Sequence, residues 1–231
     1  MSETPPLDPS VIRWSADPAE RADRPLLVVL HGYGSDESDL FALAVHLPSE
    51  FVVAAVRAPL TPPFPAPGYS WYPIEGLNGR DPDAVTAAAE RLIEWIDAAS
   101  DAPLVGLLGF SQGGAVALQA LRVAPERFAF AVNLSGYAAP GEQPADAALA
   151  VRRPPVFWGR GSLDEVIPAE LIAHTIDWLP AHAELSGRLY AGLAHGVSGP
   201  ELEDVRAFLD KRLADAAPRD PAGGAPPHPL G

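Results

Sequence analysis

The sequence contains no cysteine. Disulfides, thiolate nucleophiles and thiolate metal sites are excluded together, so a side-chain nucleophile in this chain must act through oxygen or nitrogen, and cysteine usage leaves the redox compartment open. Basic residues are scarce: 16 Lys and Arg stand against 30 Asp and Glu, a formal net charge of −14 at pH 7. A field of that sign repels polyanions, which argues against a nucleic-acid partner and against stable association with an anionic membrane. No apolar run is long enough to cross a bilayer. Residues 1–20 carry Asp8, Asp17 and Glu20 and lack both the basic start and the apolar stretch of a signal peptide. A soluble, cytoplasmic protein is the expectation.

What is present is enough chain, 231 residues, for one compact domain whose core needs no cross-links. Apolar runs of strand length at 25–30, 51–56, 104–108, 128–134, 155–158 and 185–190 alternate with segments of helical periodicity at 82–98, 112–123, 168–178 and 200–213. That alternation is the pattern of βα units around a mostly parallel sheet, with helices on both faces. A short strand at 11–14 is expected to precede the set. Residues 58–80 hold too many prolines and glycines for a regular element and form a loop longer than usual, of the kind that carries function. The domain is expected over 1–215. The Pro-, Ala- and Gly-rich residues 216–231 cannot bury apolar surface and are expected to be disordered.

Gly109-Phe110-Ser111-Gln112-Gly113-Gly114 follows an apolar strand and opens the helix-forming run AVALQALRV. This is G-x-S-x-G in the strand-turn-helix setting of a nucleophile elbow, where a tight turn tolerates only small residues two positions either side of the serine. A glycine-flanked serine capping a helix is the plainer alternative. A serine hydroxyl needs a base to take its proton and a third group to orient that base. In this architecture acid and base follow the serine in that order. His174 lies in a helical run, His182 in a polar connector and His228 in the tail, whereas His195 lies in a glycine-bearing loop between the last strand and the last helix. Loops at the carboxyl ends of parallel strands are where such sheets build sites, so His195 is the expected base. Asp164, in the equivalent loop after the strand at 155–158, is the expected acid. Glu165 is its rival, and Asp164 as an ordinary helix cap is the plainer reading. The hydrophobic wall Val166-Ile167-Pro168 would hold the preceding carboxylate inward.

The oxyanion of an acyl-transfer intermediate needs two N–H donors. Gln112, directly after the nucleophile, supplies one; Tyr33, set between Gly32 and Gly34 after the strand LLVVL, supplies the other. His31 reads as structural, and Ser35 or Asp36 is expected to cap a short helix through His46.

Four segments, LLVVLHGYGSDESDL, LLGFSQGGAVAL, VFWGRGSLDEVIP and GLAHGVS, together resemble the phospholipase/carboxylesterase family, which includes acyl-protein thioesterases and bacterial carboxylesterases. The resemblance runs from about Pro25 to Leu213. It implies a single-domain α/β-hydrolase fold, a catalytic triad of Ser111, Asp164 and His195, oxyanion donors at Tyr33 and Gln112, and action on short- to medium-chain acyl esters with neither cofactor nor metal. Some members also cleave thioesters or lysophospholipids, so a lysophospholipase or acyl-protein thioesterase is the rival within the class. Ser70-Trp71-Tyr72 resembles the stretch bordering the family's acyl site, which makes Trp71 and Tyr72 expected substrate contacts, with Val166 from the wall after the acid. The short, Pro- and Gly-bearing stretch 73–83 departs from the family and disfavours a long acyl channel. The partner expected is a small acyl ester, and the chain either a monomer or a homodimer. A catalytically silent binding protein of the same fold is the reading from another class; the intact set of triad residues and oxyanion glycines speaks against it.

Overall fold

The computed structural model describes residues 4–74 and 80–217. Most of the expected tail, from residue 218, and residues 75–79 of the expected loop lie outside the described residues. Seven strands form one sheet: β1 (Arg13–Trp14), β2 (Leu26–Leu30), β3 (Val52–Val56), β4 (Val105–Phe110), β5 (Phe130–Leu134), β6 (Pro155–Gly161) and β7 (Glu184–Tyr190). Their spatial order is β1-β3-β2-β4-β5-β6-β7. Every pairing is parallel except that of β1 with β3.

The helices are α1 (Glu37–Phe41), α2 (Pro82–Ala99), α3 (Gln112–Val123), α4 (Asp146–Arg152), α5 (Ala169–His182) and α6 (Gly199–Ala216). Side chains of a strand alternate between faces, and here both faces are buried, so the strands read as near-continuous apolar runs. Leu26, Val28 and Leu30 of β2 enter one core with Leu92 of α2, Val116 of α3, Leu149 of α4 and Leu171 of α5. Leu27 and Val29 enter the other, with Leu40 of α1 and Val205, Phe208 and Leu209 of α6. The layers are therefore four helices on one face and two on the other, the arrangement expected from the sequence.

Two elements differ from expectation. Helix α4 was not foreseen, because Leu149 is its single buried residue and leaves no apolar period to read. It is held instead by the buried guanidinium of Arg122, which takes both carboxylate oxygens of Asp146. Helix α5 continues through Pro180 to His182, so His182 lies in a last helical turn rather than in a connector. The His182 ring stacks on Trp178 with centroids 4.1 Å apart, and its Nδ1 bonds the Trp178 carbonyl at 2.8 Å.

Because the chain passes from β2 outward to β3 and then returns to place β4 on the other side of β2, the strand order reverses between β2 and β4. In parallel sheets a crevice opens at the carboxyl ends of the strands where that reversal occurs. The loops carrying Tyr33 and Ser111 leave β2 and β4 at this point.

Candidate active site

Ser111 follows the last residue of β4 and caps α3 with φ 55° and ψ −116°, a conformation few residues other than glycine adopt. Local strain of this kind persists only when the surroundings over-determine it. Here the Ser111 N–H donates to the Leu134 carbonyl at 2.8 Å. A Cβ at Gly109 would strike the Gly113 carbonyl, and one at Gly113 would strike the Leu30 carbonyl, so both small residues are required by the close approach of strand and helix.

The imidazole of His195 lies between the two other expected residues. Its Nε2 is 2.8 Å from Ser111 Oγ and its Nδ1 is 2.8 Å from Asp164 Oδ2. The Asp164 side chain is almost wholly buried, and its other oxygen accepts the N–H groups of Val166 at 2.9 Å and Ile167 at 3.3 Å. The Val166-Ile167 segment thus holds the carboxylate through its backbone donors. Glu165 is exposed and has no part in the arrangement. The Phe110 ring packs against His195 with centroids 4.9 Å apart, in space that the absent side chain of Gly32 leaves open.

Of the other serines near the site, Ser162 accepts the Gly192 N–H at 2.9 Å and Ser198 caps α6 by accepting from Glu201 N at 3.3 Å. His31 is buried: its Nδ1 meets the Gly32 carbonyl at 2.7 Å and its Nε2 accepts the Ala58 N–H at 3.1 Å. Both contacts suit the neutral ring protonated on Nδ1, and burial pushes its pKa below the ordinary histidine value while the bond to Gly32 works the other way. The expected structural role of His31 agrees with this. Asp36 rather than Ser35 caps α1, and a 3-10 turn over Ala42–His46 continues it.

A cleft of about 190 Å³ opens beside Ser111 and His195. Tyr33 and Gln112, the expected oxyanion donors, and Tyr72 and Val166, two of the expected substrate contacts, line it. Gln112 is the first residue of α3, where the backbone N–H groups carry the positive end of the helix dipole. Trp71 is placed elsewhere, which corrects the expectation of a substrate contact. Its side chain is fully buried, its indole N–H donates to the His31 carbonyl at 2.9 Å, and its ring lies 5.6 Å from that of His31. A bulky indole whose one polar group is satisfied by backbone belongs to the core beneath the cleft.

Residues 15–213 match the family model described as Phospholipase/Carboxylesterase. The chain belongs to the phospholipase/carboxylesterase family. Acyl-protein thioesterase 1 of Saccharomyces cerevisiae is 32% identical over 110 residues, covering 46% of this chain and 48% of the yeast protein. A probable carboxylesterase of Oryza sativa subsp. japonica is 28% identical over 207 residues, 80% of this chain and 87% of the rice protein. The chain thus spans about half the length of the yeast relative and 55% of the acyl-protein thioesterase 1 of Kluyveromyces lactis. Among solved structures, the esterase PE8 is 28% identical with a TM-score of 0.66, covering 82% of this chain and 93% of that one. Acyl-protein thioesterase 2 of Zea mays reaches a TM-score of 0.73 at 21% identity, over 87% of this chain and 98% of that one, and speaks for the fold alone.

Some features of this phospholipase/carboxylesterase cleft were not foreseen. Ile74, Arg80, Phe110, Tyr137 and Ile167 also line it. Tyr137 sits just past the carboxyl end of β5, the same kind of position that drew attention to Asp164 and His195, so a signal for it existed. Nothing in the composition of 58–80 singles out Ile74 or Arg80. The Gln112 side chain was also unforeseen: its Oε1 accepts the Trp71 N–H at 2.8 Å and its Nε2 donates to the Tyr72 carbonyl at 2.7 Å, fixing the loop to the top of α3.

Proposed function

We propose that this chain is a serine hydrolase that cleaves carboxylic esters of short to medium acyl chains through an acyl-enzyme. The observation that carries the reading is the chain of hydrogen bonds from Ser111 Oγ through His195 to Asp164, 2.8 Å at each link, at the wall of a cleft. The named activities of the rice relative and of PE8 support it, as does membership of the family.

Ser111 Oγ attacks the ester carbonyl carbon while its proton passes to His195 Nε2, and the carbonyl π electrons move onto oxygen. The backbone N–H groups of Tyr33 and Gln112 are assigned to that oxyanion; a donor of this kind lowers the barrier by about 3 kcal/mol. Collapse of the intermediate expels the alkoxide, which takes the proton from Nε2 and leaves as the alcohol. Water then attacks the acyl-serine with the same base, and the carboxylic acid is released as Ser111 regains its proton. Asp164 keeps Nδ1–H directed at itself, so that Nε2 is free to accept, and offsets the charge of the imidazolium. The cleft is smaller than the roughly 300–1,000 Å³ typical of sites for drug-sized ligands, which favours a compact acyl group.

The test is a fluorophosphonate probe followed by peptide mapping, beside turnover of p-nitrophenyl esters of increasing length. Phosphonylation of Ser111 with turnover of the shorter esters is the expected result. Labelling at Ser162 or Ser198, or no turnover of any ester, would overturn the proposal.

A further inference from the structure

The hydroxyl oxygens of Tyr72 and Tyr137 stand 2.7 Å apart, a hydrogen-bond distance, and both residues line the cleft. They come to it from distant parts of the chain, Tyr72 from the segment before α2 and Tyr137 from just past the carboxyl end of β5. Both are buried, and burial raises Tyr137 to about 12 and Tyr72 well above the ordinary phenol value, so each keeps its proton. Two hydroxyls bring two protons, and a single one suffices to join them. Whichever oxygen donates within the pair, the second proton has no acceptor among the described residues. The guanidinium carbon of Arg80 lies 6.0 Å from the centre of the Tyr137 ring, but a guanidinium brings only donors, and its Nη2 is already engaged with the Val166 carbonyl at 3.3 Å.

A buried phenol ordinarily finds partners for its hydroxyl, and a donor shielded from water without an acceptor is costly. Ile74, Phe110, Val166 and Ile167 make much of the remaining wall apolar. A slot for a plain hydrocarbon chain would be better lined by two phenylalanines. An acceptor carried into the cleft by the substrate completes the pair, and a site built to bond such an atom discriminates against the analogue that lacks it. The acceptor is uncharged, because the donor is a neutral phenol and an ionised group set against an apolar wall loses its water with no compensating charge. We infer that the Tyr72–Tyr137 pair is a hydrogen-bond donor to the substrate, so that the preferred esters carry an uncharged oxygen acceptor, an ether or a ketone, a few bonds from the scissile carbonyl. This rests on the esterase reading above and names its substrate class.

The test exchanges one methylene for an ether oxygen or a carbonyl. Methyl 3-methoxypropanoate and methyl levulinate, each against methyl valerate, place the acceptor on the acyl side; 2-methoxyethyl acetate against butyl acetate places it on the alcohol side. p-Nitrophenyl butyrate serves as a separate control for the esterase reading. Each ratio of kcat/KM is divided by the ratio of alkaline hydrolysis rates of the same two esters, which removes intrinsic reactivity. The wild type should favour the oxygen-bearing member of at least one pair by about threefold to tenfold, the scale of one hydrogen bond between neutral groups. The double variant Tyr72→Phe/Tyr137→Phe, which fills the same space without either proton, should abolish that preference and unfold at a temperature no lower than the wild type. Turnover of p-nitrophenyl butyrate without a corrected preference in any pair, or with a preference that survives in the double variant, overturns the subsite and leaves the esterase reading standing. A double variant that does not fold overturns it too, since the pair would then be a structural bond rather than a donor to substrate. Absence of turnover on every ester, the control included, removes both.

Discussion

Leu163 N–H donates to the Leu193 carbonyl at 2.9 Å, tying the loop that bears Asp164 to the loop that bears His195. Ser162 N–H adds a bond to the Tyr190 carbonyl at 2.9 Å, and a Cβ on Gly161 would strike the carbonyls of Leu193 and Ala194. The separation of Asp164 and His195 is thus set by backbone on both sides, and neither side chain has to search for the other. This rigidity is what makes substitutions at the site readable as changes in chemistry.

Asp164→Asn preserves shape but reverses the hydrogen bond that fixes the His195 tautomer. kcat should fall by about 10⁴, the scale seen when a triad carboxylate is neutralised. Glu165→Gln, at an exposed position, should stay within about twofold of the wild type on the same ester. A reversed order of the two effects would assign the acid to Glu165.

Ser111→Ala should remove ester turnover, by up to about 10⁶ in kcat if the triad works as a unit. Among the described residues the Ser111 hydroxyl bonds only to the His195 ring, so the thermal transition should shift by no more than a few degrees. Loss of the cooperative transition along with activity would mark Ser111 as a folding residue instead.

His195 and His31 should separate chemistry from structure. His195→Ala should abolish turnover while leaving urea unfolding near that of the wild type. His31→Ala should lower stability by about 1–3 kcal/mol, since it leaves the buried Ala58 N–H without its acceptor. Because burial depresses the His31 pKa, the unfolded chain takes up a proton that the folded chain resists as pH falls below about 6.5. Stability is therefore lost toward acid, and His31→Ala should flatten that loss; equal acid sensitivity of variant and wild type in denaturant titrations would contradict it.

Glu201 should act in the opposite sense. It is wholly buried at the start of α6, its Oε1 lacks a partner among the described residues, and burial raises its carboxyl to about 7 from an ordinary 4.5. Between those values the unfolded chain has released a proton that the folded chain still holds, so stability falls as pH rises through that window. The full effect is about 3 kcal/mol. Glu201→Gln keeps a residue suited to the capping box with Ser198. It should therefore gain about 1–3 kcal/mol over the wild type at pH 8 and little at pH 5. The check is urea unfolding at both pH values, and a gain of the same size at each would refute the assignment.

The sheet was legible because strands buried on both faces are written as unbroken apolar runs, and the observed strands lie within a few residues of the expected ones. That Ser111, Asp164 and His195 would meet was legible because each stands at a position dictated by chain order and by the carboxyl end of a strand. Trp71 misled because the same proline-rich loop supplies Tyr72 to the cleft and its neighbour Trp71 to the core. Arg80 was missed because its place at the cleft depends on how distant loops meet, which no local spacing encodes, whereas Tyr137 carried the signal of its position just past the carboxyl end of β5. Helix α4 was missed because an ion pair from another helix, rather than an apolar face, holds it.

The hold of Gln112 on the backbone at Trp71 and Tyr72 has a consequence for descent and design alike. The residue after Ser111 is also the anchor of the loop that borders the cleft, so a loop of different path would leave both ends of the buried Gln112 carboxamide unmet next to Ser111. Single replacements along the rim, at positions such as Ile74 and Val166, can reshape the cleft while the loop's path is kept.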